Sequence, residues 1–115
     1  MMSTPILEEI VRQHAEMAAF LWTVYDWHLL NPDQNPEMDE ERMARLIERL
    51  EAHLDGLRVA GEDGKRIAAE RYAAYPEAGE LFVIRMLGAK EILPVKDLDI
   101  ARVREYLAKT LSPRR

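Results

Sequence analysis

Between Pro5 and the Asn31-Pro32 pair the chain runs without a single glycine or proline. Thr4 can cap a helix whose first position is Pro5, and Asn31-Pro32 can stop it, so the spacing predicts one long helix over about 5–30. Its second half, AAFLWTVYDWHLL (residues 18 to 30), is apolar on nearly every side. A helix of that kind needs neighbours on more than one face, and this constrains the fold more than any other feature.

At about 100° per residue, Leu7, Ile10, Val11, His14, Ala18, Leu21, Tyr25 and Leu29 line one side and form the expected core face. Glu9, Gln13 and Glu16 lie roughly opposite. Phe20 and Trp27 also fall on that wet back, with Thr23 and Asp26 in a polar sector. Burying a large apolar side chain stabilises by roughly 1.5 to 3 kcal/mol, so cover is expected over Phe20 and Trp27. Two sources of cover are open. Helices further along, or the 31–38 loop, could fold over them; alternatively they contact another chain or a second copy, through Phe20, Thr23, Trp27 and Leu30.

The rest of the chain also reads as helical. NPDQNPEM (31–38) is a loop, after which Asp39 caps a second helix that Gly61 is placed to end. Met43, Leu46, Ile47, Leu50, Leu54 and Leu57 recur at three- and four-residue steps along it, as one stripe. GEDG reads as a turn before a third, alanine-rich helix over about 65–75, with Ile67, Ala68 and Tyr72 inward and Pro76 closing it. ELFVIRML (80–87) fits either a buried strand or a buried helix; helix is preferred, because a lone strand would leave its backbone groups unpaired. A linker, AKEILPVK, leads to a fifth helix from about Asp99, carrying Ile100, Val103, Tyr106, Leu107 and Leu111. The expectation is an all-α, compact bundle of about five helices. It forms a single domain over 1–115, with its core over about 4–111 and a tail at 112–115.

A chain of 115 residues buries roughly two thirds of its extended surface on folding, enough for one core. The absence of cysteine excludes disulfides, thiolate metal sites and cysteine nucleophiles. The N-terminus lacks the pattern of a secretion signal and no run is apolar enough to span a membrane, so a cytoplasmic protein is expected. The net charge of −5 is divided unevenly, −7 over residues 1–60 and +2 over 61–115. The acidic half argues against nucleic acid as a partner. The basic C-terminal residues, among them Arg102, Arg104 and Lys109, read as a solvated face.

No catalytic signature emerges, and an enzyme is not expected. GEDGK lacks the spacing of a phosphate loop and a preceding strand. Asp39, Glu40 and Glu41 suit the N-terminal dipole of a helix better than acid/base chemistry. The two serines, Ser3 and Ser112, stand near the chain ends. His14 and His28 lie on or beside the core stripe of the first helix, and His53 on the edge of the second, so a three-histidine metal site is conceivable. No histidine has a carboxylate or a second histidine three or four residues away on its own helix, the spacing of bundle metal sites. Packed, hydrogen-bonded histidines are therefore expected, and no cofactor.

HAEMAAFLW (14–22) together with RLEAHLDGLRVAG (49–61) resembles the N-terminal region of a group of proteobacterial HEAT-repeat proteins of uncharacterised function, often encoded near type VI secretion effector loci. The likeness covers about residues 5–90. It implies a helical module whose partner is a protein or another copy, and it brings no catalytic or ligand-binding residues. Longer members continue into stacked helical repeats, whereas this chain reaches Arg115 without such an array. A leading module shields the apolar face of the first repeat, so the resemblance implies a sticky side on such a module.

Overall fold

A computed structural model describes residues 5–31 and 33–88. These residues form four helices: α1 (Pro5–Leu30), α2 (Glu40–Val59), α3 (Glu62–Ala74) and α4 (Ala78–Gly88). The all-α expectation holds over these residues, with no strand among them. The expected fifth helix from Asp99, like the Thr4 cap, lies outside the described residues.

Local chemistry accounts for the end of α1, the start of α2 and the joint between α2 and α3. Asn31 ends α1: its backbone N–H and its side-chain amide both donate to the Trp27 carbonyl, at 2.9 Å each. Asp39 caps α2, its carboxylate accepting from the Arg42 N–H at 2.9 Å. Gly61, at φ +63°, reverses the chain between α2 and α3, in a region where a side chain would be strained. The expected GEDG turn is shorter than its sequence suggests. Glu62 and Asp63 already form the first turn of α3, where their charges oppose the helix dipole favourably. ELFVIRML is helical, and α4 is buried nearly all round, with Leu81, Phe82, Val83, Met86 and Leu87 inside.

α1 is the central rod, packed against each of α2, α3 and α4. Toward α2 it presents Val11, Ala18, Leu21 and Tyr25, which meet the α2 stripe of Leu46, Leu50, Leu54 and Leu57. A second buried arc, which the one-sided reading of α1 omits, consists of Ala15, Ala19 and Trp22. Trp22 stacks on Phe82 of α4, with ring centroids 5.1 Å apart and planes 17° from parallel. Close approach of α4 depends on Gly79, since a Cβ there would lie 2.6 Å from the Ala19 carbonyl oxygen. Three expected core residues, Leu7, Ile10 and Leu29, are instead exposed. They border clefts between α1 and α2, Leu29 with Met43 and Ile47 and Leu7 and Ile10 with Gly56 and Val59, so the two helices are not in close contact at either end.

Candidate interaction surface

The back of α1 faces solvent. Phe20 is 59% exposed, Trp27 46% and Leu30 58%, with exposed Thr23 between them. These four residues follow one another at three- and four-residue steps and so share a single stripe. The structure thus brings all four predicted residues onto one surface, and α3, α4 and the 33–39 segment leave it open. Thr23 turns its hydroxyl inward to donate to the Ala19 carbonyl at 2.8 Å, against Gly79. Trp27 holds an edge-to-face contact with His28, centroids 5.0 Å apart, which limits the freedom of the indole.

The flank of the stripe carries residues that helix periodicity does not mark. Tyr75, 49% exposed, shares a shallow hollow of about 210 Å³ with Phe20 and Thr23. Beneath it Arg71 joins three helices. Its guanidinium lies over the Tyr75 ring at 4.1 Å, and it meets Glu80 of α4 at 3.3 Å and Glu16 of α1 at 3.5 Å. Glu80 is the one charged residue buried among those described, and Arg71 offsets its desolvation. No sequence signal marks this hub, because its members lie 55 and 9 positions apart.

The three histidines divide into a pair and a single residue. His14 Nδ1 lies 2.9 Å from His53 Nδ1 across the α1–α2 contact. The ring centroids are 5.2 Å apart, a separation reached only when both nitrogens lie near the line joining the ring centres. That is the geometry of an N–H···N hydrogen bond, one ring donating and the other accepting. Chelation by both rings would require them to turn. Gly56 makes room for the pair, since a Cβ there would stand 2.6 Å from the His14 ring. Burial, then the neighbouring His14, then Arg49, push the His53 pKa below its ordinary value. His28 stands about 21 Å from His14 along α1, beside a different cleft. The alternative of a three-histidine site is therefore not brought together, and no group of three or more His, Cys, Asp or Glu suited to a metal occurs among the described residues.

That cleft, of about 550 Å³, lies between the C-terminal half of α1 and the N-terminal half of α2. Tyr25, Leu29, Met43 and Ile47 line it together with Glu40 and Glu48. Helix periodicity assigns these apolar residues to the core and Glu40 to the helix dipole, and it carries no signal that the two helices part here.

Fold and surface together define an all-α, helical protein with a solvent-facing apolar stripe on its central helix. Comparison with protein-family models, characterised proteins and solved structures finds no match to this chain. No helix among the described residues is long and apolar enough to cross a membrane.

Proposed function

We propose that this chain is a non-enzymatic protein-interaction module that docks through Phe20, Thr23, Trp27 and Leu30, onto a protein partner or a second copy of itself. One observation carries the proposal: three large apolar side chains, two of them aromatic, stand about half in water on a single stripe of the central helix. Covering the exposed half of each stabilises by roughly 1 to 1.5 kcal/mol, and a rigid helix presents them with little ordering cost on binding. Exposed aromatic residues of this kind are the usual anchors of protein interfaces. The resemblance to the leading module of HEAT-repeat proteins suits the same role, as an adaptor, chaperone or immunity-type protein in a bacterial secretion setting.

The test uses Trp27→Glu and a Phe20→Glu/Trp27→Glu double variant beside the wild type. Light scattering across a concentration series reports self-association, and affinity capture from the native host reports a partner. The expected result is loss of association with the helical circular dichroism unchanged. Association that survives the double variant refutes the assignment of this surface, and unfolding of the variants places the stripe in the core.

A further inference from the structure

The cleft between α1 and α2 is a second surface, and its chemistry differs from that of the stripe. Tyr25 and Leu29 project from α1 about half a turn away from the Phe20–Trp27 side. With Met43 and Ile47 of α2 they make an apolar floor, and Met38 adds a second flexible thioether. Thioether side chains conform to apolar surfaces of varied shape, which suits a groove that receives a side-chain row. The rim has one sign. Asp39, Glu40, Glu48 and Glu51 stand on it, His28 is its one basic group, and no lysine or arginine lines it.

Two of these rim carboxylates, Glu40 and Glu48, differ from many carboxylates elsewhere on the molecule. Glu8, Glu16, Glu41, Asp55, Glu70 and Glu80 are all met by arginines. Glu40 and Glu48 make no ion pair among the described residues, and both stand exposed beside apolar surface. Such a rim repels an acidic ligand and favours a basic one. The groove lies between two helices that run antiparallel, since His14 meets His53 at one end of the contact while Tyr25 and Met43 share the cleft at the other. A third helix laid in such a groove buries one apolar face and leaves its flanks at the rim.

We propose that this cleft binds a basic amphipathic helix of a partner protein, its apolar face on Tyr25, Leu29, Met43 and Ile47 and its lysines or arginines against Glu40 and Glu48. The full chain is titrated with a synthetic Leu/Lys amphipathic helix, with a scrambled peptide of the same composition and with a Leu/Glu helix as controls. Calorimetry reads affinity, and methionine-methyl NMR reads position.

The Leu/Lys helix binds, shifts the Met38 and Met43 methyls and weakens with added salt, while both controls fail. Glu40→Gln/Glu48→Gln weakens it about fivefold, the scale of two partly screened ion pairs. Phe20→Glu leaves the binding intact, which separates this surface from the stripe. The proposal is overturned if the scrambled peptide binds equally well, if the two methyls stay unmoved, if the double Gln variant binds as wild type, or if Phe20→Glu abolishes binding.

Discussion

Trp22 and Trp27 are the only two tryptophans in the chain, and the fold treats them oppositely. Trp22 is 3% exposed, stacked on Phe82; Trp27 is 46% exposed. Trp22→Ala removes a buried indole whose neighbours, Phe82 and the flanking alanines, cannot fill the space, so a cost of about 4 kcal/mol is expected. Trp27→Ala gives up only the half of the ring that is already covered, about 1 kcal/mol. Part of this is returned by the better helix propensity of alanine, roughly 0.5 kcal/mol. The gap between the two variants should therefore exceed about 3 kcal/mol, a large share of the stability of a small domain. Guanidinium unfolding followed by circular dichroism measures both, at two protein concentrations. Trp22→Phe and Trp27→Phe supply single-tryptophan proteins, and acrylamide should quench Trp27 readily and Trp22 hardly at all. A loss above about 2 kcal/mol for Trp27→Ala, independent of protein concentration, would refute the reasoning by placing Trp27 in the core. A loss that grows with protein concentration would instead mark association through Trp27.

The His14–His53 contact predicts a pH dependence. The folded His53 holds a proton less readily than the unfolded chain, whose value is near 6.5. Stability is thus fully present above that pH and is lost as pH falls from it through the lowered folded-state value. His53→Gln should flatten this part of a stability-against-pH curve; an unchanged slope contradicts the reading that burial, with His14 beside it, disfavours the charged His53. Arg71→Met strands the Glu80 carboxylate and should cost about 2 kcal/mol, whereas Arg71→Met/Glu80→Met should regain at least part of that loss. A double variant as unstable as the two single losses combined would deny the coupling. Gly79→Val forces a side chain against the Ala19 carbonyl and should cost about 2 kcal/mol in denaturant midpoints. Gly88→Ala, which meets nothing within 4 Å, should be close to neutral.

Much of this architecture is legible in the sequence, because helix periodicity reports directly on burial where one helix has one neighbour. α2 is the clearest case: Leu46, Leu50, Leu54 and Leu57 are buried as their spacing predicts. α1 is only partly legible. A helical wheel gives the direction of an apolar sector, and Phe20 and Trp27 stand on the wet back where it puts them. It does not give the sector's width when three helices converge, so the arc of Ala15, Ala19 and Trp22 is missed. Nor does it record where two helices part, and so Leu7, Ile10 and Leu29, which border clefts between α1 and α2, are assigned to the core. The His14–His53 pair could be foreseen only as a possible approach between antiparallel helices. The Arg71 hub and the acidic cleft depend on distant residues meeting in space, for which local pattern carries no signal.

Only Ala60 and Gly61 separate the end of α2 from the start of α3, and this brevity couples length to orientation. One residue added at the joint would carry α3 around its own axis by about 100°. Ile67 and Ala68, now sealed against the rest of the protein, would swing toward water, and Arg71 would lose its hold on both carboxylates at once. The joint should therefore accept altered side chains more readily than an altered residue count, apart from the glycine that makes the reversal.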